Sequence, residues 1–361
     1  MIPKIVVIFG FVLFFLFSIW ADGLDKKRRQ TLLLLSCAAM ALFAGTRNPW
    51  LWSDTMNYIG DFLNASGLLG YSFDNKPLAY TEMGFYLIGV VVRTFTSDAT
   101  VYLLIVSILT FFFLYKGLQR YSMLPLLGLC IYIARFMIGR NMMQIRAGLA
   151  IAIIISFTYL LKQKKWWQYV LVLLLSYNLH HSALVAAPLL ILGYMNWDFS
   201  RKQIYIGVIL SMIIAQFFGE YVKSYVDSSE FMDEMASSYI QEGSEKAYSN
   251  DLTNPVIWFQ VLVLMIFTYY EDYLKKVTSY YYILRNAYFI CTCILIVMCQ
   301  YAIVAARTST LFATYECMII PTFLTLVKKD QRVLPYLAIG IGLTLLFYMN
   351  WPSAVSYIWV N

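Results

Sequence analysis

The stretch EMGFYLIGVVVR, Glu82 to Arg93, decides how this chain is threaded. Between its charged ends only ten residues, Met83 to Val92, run uninterrupted as apolar or small side chains. A helix rises 1.5 Å per residue, so they cover about 15 Å, half of a hydrocarbon core of roughly 30 Å. If 82–97 crosses a membrane, the basic turns before and after it fall on opposite faces. If it is a re-entrant or displaced half-helix, they fall on one face. Polar backbone held at that depth must line a cavity within the protein, so a half-helix also marks a site.

The composition leaves only a membrane setting. Of 361 residues, 61% are hydrophobic and 13% charged, and the mean hydropathy is +0.66. Soluble domains carry about 45–50% apolar and about 25% charged residues. The expected fold class is an all-α polytopic membrane protein, residues 1–361 forming a single integral membrane domain. About 12 transmembrane helices are expected, plus the re-entrant or half helix. Candidate segments are 2–20, 31–46, 82–97, 99–116, 122–138, 146–161, 166–180, 182–195, 203–219, 255–270, 281–304, 308–327 and 333–350. The first apolar run, Ile5 to Trp20, has only Lys4 before it and no small-residue cleavage site after it, so it reads as a retained span. The six cysteines lie in apolar runs without histidines at metal spacing, and read as small core residues.

Basic turns set the orientation. Lys26 to Arg29, Lys162 to Lys165, Arg201 with Lys202, Lys275 with Lys276, and Lys328, Lys329 and Arg332 are placed on the cytoplasmic side. They also account for the net charge of +7, which is no nucleic-acid footprint. These turns share one face only if 82–97 does not cross, so the half-helix is the expectation. The polar stretch AGTRNPWLWSDTMNYIGDF, Ala44 to Phe62, then faces outward. So does the long loop 219–254, with eight acids against two lysines. There Asp227 and Glu230 have the spacing of an N-cap and its N3 partner, and Phe231, Met232, Met235, Tyr239 and Ile240 share one helical face before Gly243. An amphipathic helix is expected there, as a surface cap or a lid.

Arg47, Arg135, Arg140, Arg146 and Arg307 break the basic trend, all near the outward ends of their segments, and none is a lysine. Arginine presents a planar, permanently charged fork that matches phosphate oxygens two at a time. An outward arginine cluster in a membrane suits a lipid-linked phosphate or diphosphate; pairing with Asp54, Asp61 or Glu82 is the structural alternative. Arg140 and Gln144 are four apart and share a face on a helix, while Arg146 points elsewhere if that helix is continuous. Gly139 is a candidate break between Arg135 and Arg140. The only two histidines, His180 and His181, sit at the outward end of a span; histidine is the commonest general base near neutral pH. Arg307 and Glu316 are nine apart, half a turn out of phase on one helix. No nucleotide-binding loop and no paired acidic metal motif occurs, so no metal or other cofactor is expected.

The motifs G-x-R…D-x-x-x-Y (Gly45, Arg47, Asp54, Tyr58), E-x-G-F (Glu82, Gly84, Phe85), R-x-x-x-Q-x-R-A-x-x-A (Arg140 to Ala150), H-x-S-A-L (His180, Ser182, Ala183, Leu184) and A-R-x-S…Y…P (Arg307, Ser309, Tyr315, Pro321) occur in this order. Together they resemble the EpsG family of Wzy-like bacterial polysaccharide polymerases, over roughly Gly45 to Pro321. Asn48-Pro49-Trp50 stands where the family often has a small, glycine-containing link.

The resemblance implies a metal-independent glycosyltransferase of the bacterial cytoplasmic membrane, similar to GT-C-like enzymes that use polyprenyl-linked donors. It would join undecaprenyl-diphosphate-linked repeat units of O-antigen, capsule or exopolysaccharide on the outer face. Its partners would be the lipid-linked donor and acceptor, membrane lipids and a chain-length regulator, with no nucleic acid. It assigns Arg47, Arg140, Arg146 and Arg307 to the diphosphate. His180, Asp54 and Glu82 become the candidate bases, and Tyr58, Gln144, His181 and Tyr315 candidate sugar contacts. Trp50 and Trp52 offer stacking faces or interfacial anchors. A flippase for the same lipid-linked sugar is the main rival; it predicts inverted repeats, and no repeat is visible. A membrane O-acyltransferase needs a histidine but not four outward arginines. A non-catalytic assembly scaffold needs neither.

Overall fold

The computed structural model describes residues 4–49, 52, 54–70, 82–227, 252–300, 308–309 and 311–351. Among the described residues all regular structure is helical. In hydrocarbon a backbone has no water to bond, and a helix satisfies its groups within one segment. The elements are α1 (Lys4–Asp22), α2 (Lys26–Gly45), α3 (Thr55–Asn64), α4 (Met83–Arg93), α5 (Ala99–Tyr121), α6 (Pro125–Tyr132), a π-helix (Ile133–Met143), α7 (Ile145–Phe157), α8 (Tyr159–Lys162), α9 (Trp166–Leu179), α10 (Ala187–Tyr194), α11 (Arg201–Asp227), α12 (Pro255–Tyr269), α13 (Glu271–Val277), α14 (Tyr281–Val297), α15 (Glu316–Phe323) and α16 (Val333–Asn350). Six stretches among the described residues are long and apolar enough to cross a membrane: Lys4–Asp22, Ala99–Tyr121, Pro125–Met143, Ile145–Lys162, Arg201–Gly219 and Val333–Asn350. Shorter apolar helices add to these, so the protein is a multi-pass membrane protein.

Backbone contacts divide the chain into two compact units, Met1–Leu184 with Glu316–Asn361, and Val185–Tyr315. In the first unit α5 packs antiparallel to α2 and parallel to α7, whose C-terminal end meets its own, and the bundle has two chemically distinct ends. At one end Asp22, closing α1, accepts the backbone N–H groups of Leu126 (3.2 Å) and Leu127 (2.9 Å) in the first turn of α6. These are N–H groups that no intrahelical carbonyl can reach, and the helix dipole favours the carboxylate there. The Tyr121 hydroxyl takes the Tyr159 N–H at 2.8 Å, and Arg120 lies 3.6 Å over the Tyr159 ring. The turns bearing Lys26 to Arg29 and Lys162 to Lys165 therefore gather at this lysine end.

The other end collects the arginines. Here α2 meets α5 so closely that a Cβ on Gly45 would lie 2.6 Å from the Leu104 Cα. Both ends of α4 stay at this arginine end. Phe85 sits edge-on to Tyr102 (6.3 Å), one turn into α5, and Phe62 stacks on the same ring at 4.6 Å. Arg93, at the far end of α4, reaches over Phe62 at 6.0 Å. The eleven residues of α4 thus stop short of the lysine end.

Three expectations need correcting. α2 begins at Lys26, not at 31, because Asp25 caps it by accepting from the Lys27 and Arg28 N–H groups, both at 3.1 Å. The chain does not break at Gly139. A Cβ there would meet nothing within 4 Å, and the helix widens into a π-helix through Met143 instead. The Gln144 N–H reaches the Gly139 carbonyl, five residues back, at 2.8 Å, and the break comes at Gln144 itself (φ −90°, ψ 60°). Finally, α11 continues to Asp227, well past the expected loop start at 219, so Asp227 is helical rather than the cap of a new helix. The rest of that loop's expected amphipathic helix, with Trp50 and Arg307, lies outside the described residues.

The second unit is braced by charge. Glu271 accepts from Arg285 (2.6 Å), Arg201 (3.1 Å) and the Tyr282 hydroxyl (3.0 Å). Arg285 also donates to the Phe199 carbonyl, so the ends of α11, α13 and α14 are tied together. Beside it, hydrogen bonds from Lys275 and Arg201 hold the Asp272 carboxyl below its ordinary range. The six cysteines are all free thiols, and Cys291 donates to the Ser309 carbonyl at 3.0 Å.

Candidate functional site

The arginine end of the first unit is assembled around the junction at Gln144. Because the π-helix closes there and α7 starts afresh, Arg140 and Arg146 belong to separate elements. Arg140, 5% exposed, donates to the Gln144 side chain at 3.2 Å. The shared face expected from their spacing is realised, on a π-helix rather than an α-helix. Gly148 packs against the Arg140 carbonyl so tightly that a Cβ at that position would overlap it. The glycine lets the first turn of α7 fold back on the π-helix.

Arg146 turns toward α4. It forms an ion pair with one oxygen of Glu82, while the other oxygen accepts the His181 N–H at 3.1 Å. The Arg146 guanidinium also lies 5.2 Å over the Tyr58 ring, and Tyr58 meets Phe85 edge-on at 5.9 Å. Tyr58 is brought there by α3, whose first turn is tied down by Thr55. The Thr55 hydroxyl donates to the Met142 carbonyl at 2.8 Å. Gly84 makes room for α9: a Cβ would lie 2.7 Å from the Asn178 carbonyl oxygen. Residues from α3, α4, the π-helix, α7 and the turn after α9 thus converge, although sequence separations of 64 and 99 lie between partners.

Arg47 is the most buried of these arginines, 2% exposed. It donates to the Ala44 carbonyl (2.7 Å), at the C-terminal end of α2, and to the Thr55 hydroxyl (3.1 Å). Its Nε–H has no acceptor, and it has no carboxylate partner among the described residues. The negative end of α2 offsets part of its charge; the remainder calls for an anion, since buried charges persist only when compensated. The Trp52 Nε1–H and the Asn141 Nδ2 are likewise buried without acceptors among the described residues, while the Asn141 Oδ1 takes the Tyr132 hydroxyl at 2.7 Å. Asn141 escapes a reading of sequence because nothing marks an amide beside an arginine until its burial is known.

His180 caps α9 in an extended conformation. Its Nδ1 accepts the Ser182 backbone N–H at 3.1 Å and lies 2.7 Å from the Ser182 hydroxyl. A backbone N–H only donates, so Nδ1 carries no proton and Nε2–H is the donor this ring presents. His181 is exposed and stacks on Tyr177 at 4.7 Å. Asp54 is half-buried at the start of α3, next to Thr55.

Arg135 pairs with the fully buried Glu316 at 2.7 Å, so Glu316 has a partner from the π-helix. Tyr315 belongs to the second unit, buried and stacked on Phe312 at 6.0 Å.

Comparison of the sequence with known proteins finds a family and a relative. The model of the EpsG family matches residues 30–360. The chain is 28% identical over 298 residues to the amylovoran biosynthesis protein AmsC of Erwinia amylovora, covering 78% of this chain and 76% of that protein. No solved structure matches.

Proposed function

The chain belongs to the EpsG family, and from that premise we propose that it is a polysaccharide polymerase acting on lipid-linked repeat units at the outer face of a bacterial cytoplasmic membrane. The observation that carries the reading is Arg47, a buried guanidinium bonded among the described residues to neutral oxygens, one of them the Thr55 hydroxyl that also holds the Met142 carbonyl of the π-helix bearing Arg140. A diphosphate leaving group develops charge as its bond to sugar breaks, and donors fixed in a water-poor site stabilise that charge without reorganising. The positive-inside rule puts the lysine end in the cytoplasm and the arginine end outside. The relative's role in amylovoran biosynthesis supports polysaccharide as the product class.

In this reading the growing chain on undecaprenyl diphosphate is the donor, and the terminal sugar of a new unit is the acceptor. The acceptor hydroxyl oxygen forms a bond to the anomeric carbon, the bond from that carbon to the phosphate oxygen breaks, and undecaprenyl diphosphate leaves. The hydroxyl proton goes to a carboxylate. Asp54 and Glu82 are the carboxylates in question; Glu82 has both oxygens engaged, by Arg146 and by the His181 N–H, and the Asp54→Asn variant tests the other. His180 then donates through Nε2–H to a sugar or phosphate oxygen. Tyr58, Gln144 and His181 line the same end, and a chain-length regulator is a fitting partner.

The test is a surface-glycan gel from the native host carrying a deletion of this gene, and carrying Arg47→Ala or Arg140→Ala in its place. Bands capped at one repeat unit, with variant protein at normal level in the membrane, support the polymerase. Loss of even the single unit supports a flippase or an earlier step.

A further inference from the structure

The half-helix α4 does more than place Glu82. Along its other side it leaves a groove of about 520 Å³ against α5. Leu87, Val91 and Phe95 form one wall, and Val101, Ile105 and Leu109 the other. Among all the lining residues only Thr96 carries a polar side chain. The volume is that of a ligand site, for which about 300–1,000 Å³ is usual. The α5 wall from Val101 to Leu109 spans eight residues, about 12 Å of helix axis, so the groove runs from the arginine end along α5 toward the lysine end. It opens because α4 is too short to cover α5 along its length.

One end of the groove lies close to the polar cluster along α4. Gly84, which lines the groove, lies two residues from Glu82, and Glu82 is ion-paired to Arg146. An anionic group at the arginines and an apolar chain in the groove are therefore within reach of one molecule. The packing also keeps the two compartments apart: Phe85 and Tyr86, the next residues of α4, are buried on its protein-facing side.

The geometry points to this α4–α5 groove as the track for the isoprenoid chain of the lipid carrier, with the carrier's diphosphate at the arginines. The inference rests on the polymerase reading for the identity of the headgroup. It adds that the carrier is recognised along its chain, by a wall of branched aliphatic side chains, and not by its diphosphate alone. Ordinary phospholipid acyl chains bathe every outward face of the protein, so the distinguishing property is selective occupancy.

Full-length protein in nanodiscs of phosphatidylethanolamine and phosphatidylglycerol, with p-benzoylphenylalanine at Val91 or at Leu345, is irradiated with radiolabelled undecaprenyl diphosphate. Leu345 is 57% exposed on α16 and lies off the groove. At Val91 labelling should exceed that at Leu345 at least fivefold and fall with unlabelled undecaprenyl diphosphate. Equal labelling, or adducts with phospholipid alone at Val91, overturns the groove while leaving the polymerase reading untouched. In cells Ile105→Trp, which fills the groove, should lower polymer about tenfold. Ile108→Trp, on the same helix but 48% exposed and off the groove, should not. Equal polymer from the two variants also overturns the proposal. Selective labelling in a protein whose deletion strain lacks the single-unit band keeps the groove and removes the polymerase.

Discussion

Glu82 and Arg146 show how one contact serves two readings. Their ion pair holds α4 to α7, and removing one partner from a buried pair leaves an uncompensated charge at a cost of roughly 3–5 kcal/mol. Arg146→Ala is therefore expected to lower both protein level and polymer. The double variant Arg146→Ala with Glu82→Gln separates the roles. A purely structural pair returns level and polymer together, whereas a diphosphate ligand returns the level and not the polymer. Membrane immunoblot and glycan gel read the two quantities. At the same scale, Asp54→Asn should cut polymerisation at least about a hundredfold if it removes a general base. His180→Gln retains an N–H donor and should keep more than a tenth of the activity. The spacing of Arg140 and Gln144 made their contact legible in the sequence, since four residues is a local distance on a helix. The partner of Arg146 was not legible, because any of three carboxylates was available.

Glycines control how the elements meet. A Cβ on Gly84 would press on the Asn178 carbonyl at 2.7 Å, and backbone oxygen of a neighbouring helix has nowhere to go. Gly84→Ala should destabilise the packing of α4 on α9 by roughly 1–3 kcal/mol, read as a lower apparent Tm of the purified protein. Gly148→Ala should act on the arginines more directly, by pushing the Arg140 carbonyl away from α7; loss of polymer at near-normal protein level is the expected outcome. The π-helix is the element that sequence misjudged. Gly139 signals a break by composition, yet its neighbours on both sides are packed in the core, and the helix widens over Ile133–Met143 instead of exposing a broken backbone there. π-Helical turns are often found at functional sites, and this one delivers Arg140, Asn141 and the Met142 carbonyl to the cluster.

For the whole molecule the decisive prediction concerns sidedness. If α4 does not cross, residues before and after it share a face. In a cysteine-free background, Asn64→Cys and Thr100→Cys should both react with an impermeant maleimide added to intact cells with permeable outer layers. Gln163→Cys should react only after lysis. Opposite behaviour of Asn64→Cys and Thr100→Cys would mean that α4 spans and that the arginine end is not a single surface.

Composition by itself determined that this chain lives in a membrane and is helical, because few other backbones satisfy their hydrogen bonds there. The ten apolar residues between Glu82 and Arg93 are too few to span the core, which made a short helix the expectation there, and α4 has eleven residues. The unequal distribution of lysine and arginine marked two chemically different ends. The EpsG motifs, read in order, were legible for the same reason: each is a short local pattern. Tertiary structure alone decided that Arg146 takes Glu82 and Arg135 takes Glu316, and that Arg47 is left with neutral partners among the described residues. It alone opened the groove between α4 and α5. These outcomes depend on the rotation and depth of helices far apart in sequence, which no periodicity within one helix encodes.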